Sequence, residues 1–190
     1  MPRLYLIRHG KPATVWGQGA DEDPGLDEAG RAQAERARDA LLAMAPEHRP
    51  QRVVSSPLRR CRETAEPLAL ALGVPVEIDP SVGEIPTPAS LSAADRSGWL
   101  RKVFTGKWRE IEGDLDYDEW RKAIAASLCA RGDTAVFSHF VAINAVLTHL
   151  AGDENVLAFR PDHASISVLE TDGRELRLIE RGPEATTGVL

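Results

Sequence analysis

What most constrains the fold of this chain is a recurring succession: a short apolar run, then polar residues, with a helical stretch to follow. "LYLIRHG" (4–10) drives four apolar residues into Arg8, His9 and Gly10. "RVVSS" (52–56) is followed at once by Pro57, with Ser56 placed as a capping hydroxyl and proline at the first helical position. "TAVFSH" (134–139) leads into "FVAINAVLTHLAG" (140–152), a helix closed by Gly152. Strands alternating with helices predict an α/β fold of three layers, a mostly parallel sheet with helices on both faces.

The remaining punctuation fills in this frame. A strand is expected over 3–8, then a polar loop rich in glycine (Gly17, Gly19, Gly25) and a helix from about Asp27 to Met44 with Asp27 as its N-cap. The helix after Pro57 should stop before Gly73, and "VPVEI" (74–78) reads as a short strand. Asp172-Gly173, between "ASISVLET" (164–171) and "ELRLIER" (175–181), signals a hairpin that adds an antiparallel strand at one edge. Residues 80–132 differ in character. They hold Trp99, Trp108 and Trp120 and no clear strand, and helical spacing is confined to about 116–130. This stretch is expected to be a small helical cap inserted into a single domain spanning 1–190, the tryptophans forming its own small core.

Ligands of open α/β sheets bind beyond the carboxyl ends of the strands. Here those ends deliver Arg8 and His9, then Ser55, Ser56 and a helix bearing Arg59, Arg60 and Arg62, then Glu84, then Ser138 and His139. The chain is acidic, with a formal net charge of -6, so nucleic acid gains no overall attraction and any anion must be met by arginines gathered locally. Guanidiniums bind phosphate oxygens in a bidentate fashion. A neutral imidazole is a competent nucleophile, and flanking arginine disfavours the imidazolium form of His9. A protonated His139 could donate to a transferring phosphoryl group, and Glu84 could protonate a leaving alcohol. Together these residues suit phosphoryl transfer.

The same residues carry a resemblance. "LIRHG", "SSPLRRCRETAEPLA" (55–69, with Ser56, Arg60 and Thr64 in register) and "AVFSHF" (135–140) occur in the order found in the histidine phosphatase superfamily, the phosphoglycerate mutase-like family, which the chain resembles over nearly its whole length. The resemblance implies that His9 is phosphorylated, that Arg8 and Arg60 bind the phosphoryl oxygens, and that His139 completes the pocket. Glu84 in "VGEIPTP" matches the proton donor by position, with Glu77, Asp79 and Glu110 as neighbouring carboxylates. The implied activity is a phosphomonoester hydrolase that needs no metal or other cofactor and acts on a small phosphorylated metabolite. Mutase-type transfer, a phosphoprotein phosphatase and a non-catalytic phospho-ligand-binding or interaction protein are the rivals. Val15 stands where mutases usually carry asparagine, Phe140 where many relatives carry glycine, and Lys11 at a position that adds charge near the mouth.

Other residues are given plainer roles. Arg59 and Arg62 read as solvated or paired with Glu63 and Glu66, and His163 could reach the rim. His48 and His149 read as structural or exposed. No HxH, HExxH or HxxxH spacing occurs, so no metal site is expected. Cys61 and Cys129 read as reduced thiols. The first strand starts too early for a signal peptide and 134–152 is interrupted by polar residues, so a cytoplasmic protein without a membrane partner is expected. Oligomeric state is left open.

Overall fold

A computed structural model describes residues 1–14, 21–92 and 94–186. Six strands form one sheet in the order β3-β2-β4-β1-β5-β6, where β1 is Arg3–Arg8, β2 Arg52–Ser55, β3 Val76–Ile78, β4 Thr134–Ser138, β5 Ile166–Thr171 and β6 Leu176–Glu180. The pairs β3–β2, β2–β4 and β4–β1 are parallel, so four carboxyl ends share one rim. β5 runs antiparallel to both β1 and β6, which places the expected reversed strand one position inside the edge.

Alternation along the strands decides the layers, because successive side chains point to opposite faces. Leu4, Leu6, Val54 and Val136 face one way and pack against α4 (Tyr117–Cys129) and α5 (Phe140–Ala151), with α3 (Arg96–Thr105) joining the same core. Tyr5, Ile7, Val53, Ala135 and Phe137 face the other way and meet α1 (Glu28–Leu42) and α2 (Arg59–Leu72). Each side chain fully buried in these faces contributes roughly 1.5–3 kcal/mol. The result is the three-layer α/β sandwich.

Helix ends follow local chemistry. The Asp27 carboxylate accepts from the Gly30 N–H at 2.7 Å and caps α1. Gly73 and Gly152 close α2 and α5 in left-handed conformations, with φ of 68° and 66°. The start of α2 departs from expectation. The helix begins at Arg59, its N-cap is Leu58 without a side-chain bond, and Ser56 stands outside it.

Residues 80–132 are also more integrated than a separate cap with its own core. α4 packs on α5 and β6 as part of a helical layer. Trp108 is 1% exposed within the sheet's own core, and its indole N–H donates to Thr148 Oγ1 of α5 at 2.8 Å. A buried Asp118–Arg121 ion pair at 2.7 Å, with Arg121 Nη1 donating to the Asp153 carbonyl, ties α4 to the end of α5. Sequence reasoning cannot see this, because an insertion's tryptophans look alike whether they face each other or the sheet. Both cysteines are free, Cys61 buried and Cys129 partly so. Among the described residues no helix is long and apolar enough to cross a membrane.

Candidate active site

The parallel ladder continues one residue past the strands. His9 N–H donates to the Ser138 carbonyl at 3.0 Å and Ser56 N–H to the Phe137 carbonyl at 3.0 Å. These bonds hold His9, Ser56 and His139 at the shared rim. The Ser138 hydroxyl donates to the Val82 carbonyl at 2.7 Å and draws in the segment carrying Glu84.

His9 is 6% exposed. A carbonyl can only accept, so the 2.8 Å contact from His9 Nδ1 to the Gly10 carbonyl places the ring proton on Nδ1. The lone pair is then on Nε2, which accepts from Arg60 Nε at 3.3 Å. Burial holds the imidazole well below its ordinary 6.5, aided by the fields of His139, Arg60 and Arg8 and opposed by the Gly10 carbonyl. Thr64 steadies this arrangement. Its hydroxyl accepts from the Gly10 N–H at 2.9 Å and donates to the Arg60 carbonyl at 2.6 Å, which ties α2 to the backbone behind His9.

His139 is 0% exposed, its ring centroid 5.3 Å from that of His9. Arg60 Nη2, which can only donate, lies 3.2 Å from Nδ1, and Nε2 lies 2.7 Å from Ser56 Oγ. The proton therefore sits on Nε2 and points at Ser56. Burial, Arg60 and Arg8 all push the His139 imidazole below 6.5, so it is neutral in the empty pocket. The expected protonated His139 therefore belongs to the occupied site: the guanidiniums that would recruit a phosphate repel an imidazolium until the anion is present. Ser56 is not the N-cap of α2, and its hydroxyl meets His139 while also accepting from the Leu58 N–H at 3.3 Å.

Arg8 and Arg60 are 5% and 3% exposed. Arg8 Nη1 donates to the Pro161 carbonyl at 2.9 Å, and its guanidinium lies 5.2 Å from the Phe140 ring centroid. Burial lowers the Arg8 pKa to about 10, which leaves it charged at neutral pH. Arg8 Nε and Arg60 Nη1 are buried with no partner among the described residues. Buried N–H groups of a guanidinium are costly to leave unmet, so two of them at one rim describe a receptor for an anion.

Glu84 faces the same cluster. Its Oε2 is 3.4 Å from His139 Nδ1 and 3.7 Å from Arg60 Nη2, with 18% of its side chain exposed. Burial raises the Glu84 carboxyl above 4.5 against the pull of Arg60, the Ile85 N–H and Arg8. The rival carboxylates are paired elsewhere or exposed. Glu77 pairs with Arg52 at 2.7 Å, Asp79 with Arg131, and Glu110 is exposed.

Some neighbours do less than their positions suggested. Arg59 is paired with Glu63 at 2.6 Å, and Lys11 with Asp27 at 3.0 Å. Phe140 is a platform for Arg8 as well as a wall, packed on Phe104 at 5.4 Å. His163 does reach the rim, its ring 5.9 Å from that of His9. Val15, Gly17 and Gly19 lie outside the described residues. Asn144 escaped notice: its Oδ1 accepts from Ala158 and Phe159 N–H groups at 3.0 and 3.2 Å, steadying the chain that leads to Pro161. The available signal was an amide in the middle of the apolar first half of α5. Among the described residues no group of three His, Cys, Asp or Glu side chains could hold a metal ion.

Comparison with known proteins agrees with this geometry. The family model for the histidine phosphatase superfamily (branch 1) matches residues 4–89, a span that holds Arg8, His9, Arg60 and Glu84. The chain is 32% identical over 120 residues to the transcription factor tau 55 kDa subunit of Saccharomyces cerevisiae, covering 54% of this chain and 26% of that one. It therefore spans about a quarter of that relative's length. A probable phosphoglycerate mutase of Erwinia tasmaniensis is 28% identical over 170 residues, covering 80% of this chain and 76% of its own. Among solved structures, a mycobacterial glucosyl-3-phosphoglycerate phosphatase superposes with a TM-score of 0.71 at 24% identity, covering 97% of this chain and 100% of that one, and so shares the fold.

Proposed function

We propose that this chain is a member of the histidine phosphatase superfamily and hydrolyses the phosphomonoester of a small phosphorylated metabolite through a phosphohistidine at His9. One observation carries the reading. The unprotonated Nε2 of a buried imidazole lies beside two buried guanidiniums that each keep an N–H with no partner among the described residues, with the Glu84 carboxyl 3.4 Å from His139 and 3.7 Å from Arg60 across the cluster.

The steps follow from these groups. Arg8 and Arg60 take the non-bridging oxygens of the phosphoryl group and leave it in line with His9 Nε2. The Nε2–phosphorus bond forms as the ester bond breaks, and Glu84 gives its proton to the departing oxygen. The dianion raises the proton affinity of His139, which then donates to the phosphoryl oxygens. Water attacks the phosphohistidine, Glu84 takes one of its protons, and phosphate leaves with His9 restored. Charge neutralisation comes from guanidiniums, so no divalent ion is called for. The small-metabolite class is in keeping with the solved neighbour, a phosphatase of a sugar-linked phosphoglycerate. The runner-up is mutase-type transfer, favoured by the likeness to the Erwinia protein.

The test is release of phosphate from p-nitrophenyl phosphate and from a panel of phosphorylated metabolites in excess chelator. Turnover that survives EDTA and is abolished in His9→Ala supports the reading. Activity that vanishes with chelator and returns with a divalent ion sinks it. Transfer to a second acceptor hydroxyl in preference to water would favour the mutase.

A further inference from the structure

His139 is one of two imidazoles that flank the His9 ring. The other is His163, its centroid 5.9 Å from His9 against 5.3 Å for His139, and tilted by 52°. Its surroundings are built. Ala164 N–H donates to the Arg8 and His9 carbonyls at 3.1 and 3.3 Å, and Arg8 N–H donates to the Ser165 carbonyl at 3.2 Å. Arg8 Nη1 reaches the Pro161 carbonyl from the same segment, and the His163 N–H is taken by Asp162 Oδ1 at 2.7 Å. Residues 161–165 are thus sewn onto the chain end that bears the nucleophile.

The backbone also carries strain there. Ala164 has φ of 56°, a left-handed conformation that costs a residue with a Cβ and persists where the surroundings over-determine it. Such outliers gather where a fold must aim a side chain, and here the neighbouring side chain is His163. Neither ring nitrogen of His163 has a hydrogen-bond partner among the described residues, although the ring is partly buried. An imidazole held in place with no described partner on either nitrogen can meet a ligand.

We propose that His163 contacts the phosphoryl group on His9 alongside His139, as a further substrate-binding residue of the site. The two flanks differ in what surrounds them. His139 meets Arg60 and Glu84, where the leaving oxygen is protonated. His163 meets Arg8 and Lys11 on one side of the charge balance and Asp162 and Asp27 on the other, with His9 beside it. The Glu84 carboxyl itself lies against His139 and Arg60. A contact from this flank therefore falls on a phosphoryl oxygen, which every substrate shares, and not on the leaving group. Burial and Arg8 keep the empty-site imidazole down at about 4. A phosphoryl dianion set beside it supplies the negative charge that lets the ring take a proton and become a charged donor.

This rests on His9 being the nucleophile, and the experiments separate the two claims. His163→Leu should weaken inhibition by orthovanadate and lower kcat/KM by about ten- to a hundredfold, the worth of one charge-assisted hydrogen bond. The loss should be equal for p-nitrophenyl and alkyl phosphates, and His163→Asn, which keeps an N–H donor, should recover part of it. In the native protein, ¹⁵N spectra of the His163 ring should move from the neutral to the imidazolium pattern when vanadate or inorganic phosphate is added at neutral pH. The spectral result stands even if the leucine variant folds poorly. Unchanged vanadate inhibition, a loss confined to one class of ester, or a ring that stays neutral with the anion bound would each overturn the inference. His9→Ala with full turnover would instead remove the reading beneath it.

Discussion

His9 and Glu84 are held in opposite protonation states by the same cause. Burial disfavours the charged form of each, pushing the His9 imidazole well below 6.5 and the Glu84 carboxyl above 4.5. Productive encounter needs neutral His9 and protonated Glu84, so kcat/KM should fall in acid as His9 takes a proton and fall again as pH rises through the elevated Glu84 value. Glu84→Gln should erase the second limb. It should also slow alkyl phosphates more than p-nitrophenyl phosphate, by a gap of about 10²-fold, since only a basic leaving oxygen needs the proton. Equal losses on both would make Glu84 a positioning group. Stability carries a matching signature. Below 6.5 an unfolded chain protonates histidines that the fold holds neutral, so His9, His139 and His163 make stability fall as pH drops through 6.5. Glu84 works in the other sense, its proton being released more readily from the unfolded chain as pH rises past 4.5. Urea unfolding on either side of 6.5, with and without inorganic phosphate, checks the sign, and bound phosphate should blunt the acid loss. The residues themselves were legible in the sequence because strand ends in an α/β sheet are places where polar groups otherwise have no reason to collect. Protonation was not, since it depends on how deeply the neighbours bury each ring.

Elements set those depths, and two contacts show how tightly. Gly30 sits in the first turns of α1 against the chain that leaves β1, where an added Cβ would lie 2.1 Å from the Lys11 carbonyl oxygen. Alanine is the better helix former by about 1 kcal/mol. The clash should nevertheless win, so Gly30→Ala should destabilise by about 1–3 kcal/mol, read from urea midpoints. A stabilised variant would mean that α1 does not press on this loop. Thr64→Val tests the tie between α2 and Gly10. It strands a buried N–H and should cost about 1–3 kcal/mol together with a loss of kcat, as the backbone behind His9 loosens. Strand and helix spans were readable because period and capping are local, as at Asp27, Gly73 and Gly152. The start of α2 was misread because serine before proline signals a helix beginning at once, whereas the helix starts at Arg59 and the Ser56 hydroxyl meets both the Leu58 N–H and His139. α3 was missed although Trp99, Leu100, Val103 and Phe104 fall at helical spacing, because the run is only 10 residues long and carries Gly98 inside it.

Across the whole molecule, an acidic chain concentrates buried positive charge at one rim by topology alone. Parallel order β3-β2-β4-β1 brings four strand ends together, and residues separated by more than a hundred positions meet within hydrogen-bond distance. That convergence follows from the α/β pattern and was legible beforehand. The anchoring of residues 80–132 into the sheet's core was not, because it turns on which way Trp108 faces. The most direct measurement is rapid acid- and base-quench of the native protein during turnover of a ³²P-labelled phosphomonoester. An adduct stable in base, labile in acid, mapped to His9 and missing from His9→Ala is expected. An acid-stable adduct on a serine or carboxylate, or turnover with no labelled protein at any time, would contradict a phosphohistidine mechanism.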